Sequence, residues 1–455
     1  MKSINPFNKK LIKEYSEYSV SEIDIIINDI NKEWKTWRNT SFAFRSNLMK
    51  KAGEILRSDK QKFAELITSE MGKVISQSKA EIEKCAALCD YYAEHSQQIL
   101  NEEIIETDAH KSFASFEPLG SILAIMPWNF PFWQVFRFAV PNLMAGNAAI
   151  LKHAPNVCGC SLAIEKIFQK AGFPENIFRS LIIPVELVEQ VIANDFISGV
   201  TLTGSAKAGS IVASQAGKYL KKSVLELGGS DPFIVLKDAD LKKACHAGTD
   251  SRLLNAGQVC ISAKRFIVED EISDEFIENQ KTLFENYKVG DPMNKSSDMG
   301  PMARLDLLEN INHQVRKSIE MGARLICGGN IVEGDGFFYQ PTILTNVKKG
   351  MPVYDEETFG PVSVIIRVKN AEEAIKVAND TIYGLGASIW TSDLSRGEAV
   401  ARKIEAGAVF VNGMTKSDAR MPFGGIKKSG YGRELASYGI KEFLNIKTIW
   451  MGQGC

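Results

Sequence analysis

The chain has 455 residues, of which 45% are hydrophobic and 24% are charged, and its formal net charge at pH 7 is −1. This length and ordinary composition predict a folded protein with several domains. A net charge so close to zero provides no general attraction to nucleic acid or to an anionic membrane. The N-terminal segment Met1–Lys10 lacks the apolar core of a secretory signal, so export is not expected.

The cysteine and histidine content argues against a disulfide framework and against a metal site. Eight cysteines are scattered without a C-x-x-C pair, which is typical of reduced thiols in a cytoplasmic protein. Five histidines show no metal-ligand spacing, so we expect no bound metal. The most apolar stretch, 119–151, is interrupted by Pro127, Pro131 and Pro141, and it predicts a folded core rather than a membrane span.

The region before residue 101 is predicted to be helical. Isoleucines and tryptophans recur at helical spacing over 20–57, and a second helical stretch covers 61–100. The segment 104–116 then alternates polar and apolar residues like a strand, which also fits a projecting hairpin.

Strand-like and helix-like segments alternate after residue 120. The strands are predicted at 121–126, 148–152, 177–183 and 197–202. The helices are predicted from 132 onward and at 157–171, 185–192 and 206–217. Short connections between them are typical of an open parallel sheet, which binds its ligand at the carboxyl ends of its strands.

A second alternating block spans 232–412. Its strands are predicted at 233–236, 265–268, 364–368, 387–390 and 408–411. Its helices are predicted near 240–256, 271–287, 303–322, 370–379 and 393–405, and a last strand at 443–450. The two blocks together predict an α/β protein with two parallel sheets.

Cys260 and Glu226 suggest covalent catalysis. Cys260 ends the string L-N-A-G-Q-V-C, and Glu226 lies in L-E-L-G-G. A thiol nucleophile with a carboxylate base nearby can form a thioester and then hydrolyse it. Considered alone, Cys260 also fits a small apolar core residue.

The string P-W-N-F-P at 127–131 follows a predicted strand and contains Asn129. Its prolines fix the backbone, and an asparagine amide together with a backbone N–H can stabilise an oxyanion. The alternative is an ordinary turn asparagine between two prolines.

Three further strings fit a bound dinucleotide. Lys152 ends a strand, where a lysine can reach ribose hydroxyls or a phosphate. Gly204 and Ser205 open a helix whose N-terminus favours a pyrophosphate, although the G-x-G-x-x-G fingerprint is absent. Glu357 can hold a ribose diol, and Phe359 can pack on a flat ring. The alternatives are a solvated lysine, a helix cap and a solvated acidic turn.

The segment 422–434, P-F-G-G-I-K-K-S-G-Y-G-R-E, is unusually rich in glycine. Such a loop usually wraps closely around another group. A plain long connection is the alternative.

These strings together resemble the aldehyde dehydrogenase superfamily over essentially the whole chain. Their order and separations are those of the family: P-W-N-F-P, K-x-A, T-G-S, E-L-G-G, G-Q-x-C, E-E-x-F-G-P and P-F-G-G-x-K-x-S-G. The resemblance implies that Cys260 is the nucleophile, that Glu226 is the general base, and that Asn129 with the Cys260 N–H forms the oxyanion hole. Glu434 matches a glutamate of a proton path. The cofactor contacts that it implies are Trp128, Lys152, Gly204, Ser205, Glu357 and Phe359.

Within the superfamily the chain is most similar to the short bacterial succinate-semialdehyde dehydrogenases. This similarity implies that Arg137 and Ser417 bind the distal carboxylate of the substrate, the alternative being that Arg137 lies on a helix surface. Leu254 stands where some semialdehyde enzymes have a second arginine, which keeps other small aldehydes open. Pro155 stands where NAD-selective members often have a glutamate, so both NAD and NADP are expected to work.

The resemblance also implies a domain organisation. A dinucleotide-binding domain is expected from 1–101 and 119–227, a catalytic domain from 228–432, and a β-flap for oligomerisation from 102–118 and 443–455. A cytoplasmic homodimer or homotetramer follows from such a flap.

Two rival functions remain. One is an acylating enzyme that passes the thioester to coenzyme A, which a water-activating base at Glu226 disfavours. The other is a catalytically silent binding protein on the same scaffold, which the presence of Cys260, Glu226 and Asn129 disfavours.

Overall fold

The computed structural model of the protein describes residues 1–453. Its helices are α1 (Val20–Trp37), α2 (Phe42–Ser58), α3 (Lys60–Met71), α4 (Ile75–Ile99), α5 (Trp133–Met144), α6 (Cys158–Ala171), α7 (Val188–Ala193), α8 (Ala206–Lys218), α9 (Leu241–Leu253), α10 (Asp270–Glu285), α11 (Leu305–Glu320), α12 (Pro352–Asp355), α13 (Ala371–Asn379), α14 (Leu394–Ala401) and α15 (Ala436–Lys441). Short 3₁₀ turns lie at Pro155–Val157, Val185–Leu187 and Leu254–Gly257.

The strands form five sheets within residues 1–453. They are β1 (Lys2–Ile4), β2 (Leu11–Glu14), β3 (Glu103–Ile104), β4 (Lys111–Pro118), β5 (Ser121–Met126), β6 (Ala148–His153), β7 (Phe178–Ser180), β8 (Ile197–Thr203), β9 (Lys222–Glu226), β10 (Asp231–Val235), β11 (Ala263–Glu269), β12 (Arg324–Cys327), β13 (Thr342–Thr345), β14 (Val362–Val368), β15 (Tyr383–Gly384), β16 (Gly386–Trp390), β17 (Ala408–Val411), β18 (Ile426–Lys427), β19 (Gly430–Tyr431) and β20 (Leu444–Met451).

The N-terminal helical region is divided more finely than the sequence predicts. The stretch 20–57 is two helices, because Ser41 accepts a hydrogen bond from the Phe44 N–H and so caps a new helix. The stretch 61–100 is also two helices, since Gly72 adopts a φ of +83° and ends α3.

The first large sheet has six strands in the order β19-β9-β8-β5-β6-β7. Its neighbouring strands are parallel, except that β19 runs antiparallel to β9. The carboxyl ends of β5, β6, β8 and β9 therefore lie on one edge of the sheet. The sequence strings that contain Asn129, Lys152, Ser205 and Glu226 lie at these ends. Strand β9, which ends at Glu226, is missing from the prediction because K-S-V-L-E is short and begins with polar residues.

The second large sheet has seven strands in the order β12-β13-β14-β11-β10-β16-β17. All neighbours are parallel except β12 and β13. The five predicted strands of this block are present, and β12 and β13 extend the sheet on one side. The predicted α/β fold with two parallel sheets is confirmed.

A small antiparallel sheet joins β20, β4 and β3. The predicted strand 104–116 is two strands here, separated by a turn. Strand β20 carries the exposed side chains of Ile446 and Trp450. This sheet contains most of the predicted flap, of which Gly454 and Cys455 lie outside the described residues.

No helix in residues 1–453 is both long enough and apolar enough to span a membrane.

Candidate active site

Two cavities meet at Cys260. The larger one, the cofactor-side cavity, measures ≈ 380 Å³ and is lined by Pro127, Trp128, Asn129, Gln134, Thr203, Gly204, Ser205, Glu226, Leu227, Gly228, Cys260, Arg304, Leu307, Asn310, Glu357 and Phe359. The smaller one, the inner cavity, measures ≈ 140 Å³ and is lined by Lys84, Phe130, Trp133, Gln134, Arg137, Ser251, Leu254, Val259, Cys260, Ile261, Ser262, Met414, Thr415, Lys416, Ser417 and Phe423. A group attached to the Cys260 sulfur can therefore extend into either cavity.

The loop that carries Cys260 is held in an unusual conformation. Asn255 and Ala256 both have a φ of +53°, in the left-handed region that non-glycine residues rarely adopt. The buried Lys264 ammonium donates to the carbonyls of Val259 at 3.0 Å and Cys260 at 2.5 Å. These constraints place Cys260, which is partly exposed, at the junction of the cavities rather than in a sealed core.

Burial raises the pKa of the Cys260 thiol to about 12, although the positive charges of Arg137 and Lys264 act in the opposite direction. The resting side chain is therefore a neutral thiol. A neutral thiol is a weak nucleophile, so this site requires a proton acceptor nearby.

Glu226 is the carboxyl group that fits this need. It lines the cofactor-side cavity with Cys260, and burial raises its pKa to about 8, with the charge of Arg137 opposing the shift. Its Oε1 atom is buried and has no hydrogen-bond partner in the structure. A carboxylate that titrates near neutral pH and has a free oxygen can accept a proton from a thiol or a water.

The glycine-rich segment 422–434 wraps around the backbone that follows Glu226. Ser429 accepts a hydrogen bond from the Leu227 N–H through its carbonyl, at 3.0 Å, and donates from its hydroxyl to the Gly228 carbonyl at 2.6 Å. A Cβ atom at Gly424 would lie 2.8 Å from Glu226 Oε1. The segment thus encloses the carboxyl group, which explains its glycine content better than a plain connection does.

Asn129 is anchored at both its backbone and its side chain. Its Nδ2 donates to the Gln258 carbonyl at 3.0 Å, and its own carbonyl accepts from Asn255 Nδ2 at 2.9 Å. An amide nitrogen carries two hydrogens, so the bond to Gln258 leaves one for a substrate oxygen. Asn129 lines the cofactor-side cavity, and this position suits its amide as a donor to an oxyanion.

The residues expected to bind a dinucleotide are grouped at the carboxyl edge of the six-stranded sheet. Ser205 is the N-cap of α8, its hydroxyl accepting from the Ala208 N–H at 3.2 Å, and it lines the cofactor-side cavity with Gly204. Lys152 lies buried at the end of β6, where burial lowers its pKa, and it lies outside the lining of both cavities. The helix N-terminus of α8 is suited to a pyrophosphate.

Glu357 also lines the cofactor-side cavity. Its Oε1 accepts from the Gly229 N–H at 3.1 Å and lies 3.5 Å from Lys264 Nζ. A Cβ at Gly228 would lie 2.3 Å from Glu357 Oε2, so a larger residue there would displace the Glu357 carboxylate. Neighbouring Phe359 packs edge-to-face on Trp128, with ring centroids 5.9 Å apart. The cavity thus offers a carboxylate for ribose hydroxyls and an aromatic wall for a flat ring.

Arg137 lines the inner cavity and is only 2% exposed, which excludes a helix-surface position. Its Nε forms a salt bridge with Glu434, its Nη2 donates to Thr203 Oγ1 at 3.3 Å, and its guanidinium lies 4.7 Å from the Phe423 ring. The sequence did not predict the pairing of Arg137 with Glu434. Ser417 also lines the inner cavity, as expected of a pocket hydroxyl.

Three further candidate residues of the site were not predicted from the sequence. Lys84 and Gln134 lie in helices, where nothing in the sequence shows which face meets a cavity. Lys264 follows Cys260 closely in the sequence, and this short separation from the nucleophile is a signal that could have identified it. Within residues 1–453, no group of three or more histidine, cysteine or acidic side chains is arranged to hold a metal ion.

This chain is similar to known proteins over nearly its whole length. The model of the "Aldehyde dehydrogenase family" matches residues 1–449. The "Probable succinate-semialdehyde dehydrogenase [NADP(+)]" of Synechocystis is 49% identical over 449 residues, covering 99% of each chain. The "Succinate semialdehyde dehydrogenase [NAD(P)+] Sad" of Escherichia coli is 45% identical over 98% of this chain and 97% of its own.

A solved structure of succinic semialdehyde dehydrogenase from Streptococcus pyogenes, in complex with NADP⁺, superposes with a TM-score of 0.98. It is 38% identical and covers 99% of this chain and 100% of its own. The sequence strings, the fold and these matches over nearly the full length lead to one conclusion: this chain belongs to the aldehyde dehydrogenase family.

Proposed function

We propose that the protein oxidises succinate semialdehyde to succinate with NAD⁺ or NADP⁺. The observation that carries this proposal is the Cys260 thiol between two cavities, with the Glu226 carboxyl in the wall of one of them. The names of the relatives from Synechocystis and Escherichia coli support the substrate.

The chain's own residues account for the covalent steps. The Cys260 sulfur attacks the aldehyde carbon, and the thiol proton passes to Glu226, which lines the same cavity. Asn129 Nδ2 donates to the oxygen that becomes negative in the thiohemiacetal. After oxidation to the thioester, Glu226 first releases the thiol proton to solvent. It then takes a proton from the water that attacks the carbonyl carbon, and it gives that proton to the Cys260 sulfur as the acid leaves, which restores the free thiol.

Bound NAD⁺ or NADP⁺ supplies the oxidant, because its nicotinamide ring accepts the hydride that the substrate carbon gives up. Gly204 and Ser205, at the N-terminus of α8, would hold the pyrophosphate. Glu357 and Lys152 would hold ribose hydroxyls. Trp128 and Phe359 would border the nicotinamide. Pro155 introduces no negative charge where a 2′-phosphate would lie, so both cofactors fit.

Initial rates of NADH and NADPH formation with succinate semialdehyde, and with butanal as a control that lacks the carboxylate, test the proposal. We expect turnover with both cofactors and a clear preference for succinate semialdehyde. Equal kcat/KM values for the two aldehydes would reject the substrate but keep the chemistry. No turnover with either, despite cofactor binding, would favour a silent binding protein.

Asn129→Ala is expected to lower kcat/KM by about 10²–10³-fold, because the oxyanion loses a pre-positioned donor. The same rate measurement checks this, with cofactor binding and the melting temperature as evidence of an intact fold. Asn142→Ala is the matched control, since Asn142 is a buried amide on α5 outside both cavities. An Asn129→Ala rate within a few-fold of wild type would remove Asn129 from the mechanism.

We also propose that the small antiparallel sheet joins subunits of a cytoplasmic homo-oligomer. Ile104, Ile446 and Trp450 of this sheet are exposed in the single chain, and exposed apolar side chains on a sheet favour association. Light scattering of the purified protein would decide between a monomer, a dimer and a tetramer.

A further inference from the structure

The inner cavity contains two cationic side chains from different helices that could meet a substrate carboxylate. Arg137 comes from α5 and Lys84 from α4. Only one of them is free of an anionic partner within residues 1–453. Arg137 already forms a salt bridge with the buried side chain of Glu434.

A substrate carboxylate that bound Arg137 in full would have to displace Glu434. That displacement would leave the buried Glu434 side chain without its partner, which is unfavourable. Arg137 is further restrained by Thr203 and by the Phe423 ring. Its role in the resting enzyme is therefore to hold Glu434 and to add positive potential near Cys260.

Lys84 is placed differently. Its ammonium lies 4.0 Å from the centroid of the Trp133 ring and donates to Ser417 Oγ at 2.8 Å. An aromatic ring and a hydroxyl orient an ammonium without neutralising it. Burial lowers the pKa of Lys84 to about 8, with the charge of Arg137 adding to the effect, so most of the group remains protonated at pH 7.

We infer that Lys84 is a cation that binds the distal carboxylate of the substrate, with the Ser417 hydroxyl as the second donor. The inference rests on the proposed oxidation of succinate semialdehyde. The aldehyde end of the substrate is at Cys260, and its carboxylate end reaches Lys84 and Ser417 through the inner cavity, which all three residues line. The charged hydrogen bond from Lys84 makes the pocket selective for an anionic aldehyde.

The test is the ratio of kcat/KM for succinate semialdehyde to that for butanal, in wild type, in two variants of Lys84 and in one of Ser417. Lys84→Met keeps the length and the packing on Trp133 but removes the charge. It is expected to lower this ratio by about 10- to 100-fold, because kcat/KM falls for succinate semialdehyde and stays unchanged for butanal. Lys84→Arg is expected to restore most of the ratio, and Ser417→Ala to lower it less than Lys84→Met does.

Lys79→Met is the control, because Lys79 lies on the same helix but lines neither cavity. Equal losses with both aldehydes in Lys84→Met would mean that Lys84 only supports the fold. A wild-type preference that survives Lys84→Met would overturn this inference, assign the carboxylate to Arg137, and leave the proposed function intact. A wild type without any preference would overturn both the substrate and its carboxylate site.

Discussion

Replacing Cys260 with alanine is expected to lower the oxidation rate by about 10⁴-fold or more, since covalent catalysis ends when the nucleophile is removed. The thiol is the sulfur at the junction of the two cavities, and its loop is held by Lys264. Cofactor binding is expected to remain, because Ser205 and Glu357 are unaffected. NADPH formation and NADP⁺ binding, measured on the same preparation, check both statements.

The control for this variant is Cys327→Ala. Cys327 is also a partly exposed thiol, but it lies in β12 and lines neither cavity. Its replacement should leave the rate within a few-fold of wild type. If Cys260→Ala retained a tenth or more of the wild-type rate, about one order of magnitude of loss, the thioester mechanism would be wrong.

Glu226→Gln is expected to slow steady-state turnover by about 10²–10⁴-fold, because the thioester loses its water-activating base. Glutamine keeps the size of the side chain but accepts no proton. The first turnover should survive better than the steady state, because solvent can also take the Cys260 proton, whereas hydrolysis depends on a water activated by Glu226. A rapid burst of NADPH, close to one per active site, should then precede the slow phase in stopped-flow traces.

The pH dependence follows from the same carboxyl group. Its pKa is raised to about 8 by burial, so the protonated form, which cannot act as a base, dominates below that pH. The wild-type hydrolytic rate should therefore rise as the pH increases through about 8, and this rise should be absent in Glu226→Gln. Glu165→Gln, at a partly buried carboxyl group outside both cavities, should keep the wild-type profile. A Glu226→Gln profile identical to wild type would assign the base elsewhere.

Much of the fold could be predicted from local patterns. The apolar run of β5 coincides with the predicted strand because buried parallel strands are short and continuously apolar. The edge strand β12 was missed since R-L-I-C is partly exposed and carries no such run. Helix breaks at Ser41 and Gly72 depend on a cap and on a positive φ, which periodicity does not register.

The site was predictable only where its chemistry lies in contiguous strings. Cys260, Glu226 and Asn129 each stand in a distinctive motif, and the structure places all three in the lining of one cavity. The salt bridge between Arg137 and Glu434 joins residues far apart in the chain, so no local pattern reveals it. Lys84 was missed for a related reason, because its helix has polar residues on several faces and only packing selects the face that lines the inner cavity.

The most direct test of the central claim is mass spectrometry of the Glu226→Gln protein, quenched after mixing with NADP⁺ and succinate semialdehyde. The account predicts one succinyl group per chain, on the peptide that contains Cys260 and removable by hydroxylamine, formed together with one equivalent of NADPH. NADPH formation without an acyl adduct, or an adduct on another cysteine, would contradict the assignment of Cys260 as the nucleophile.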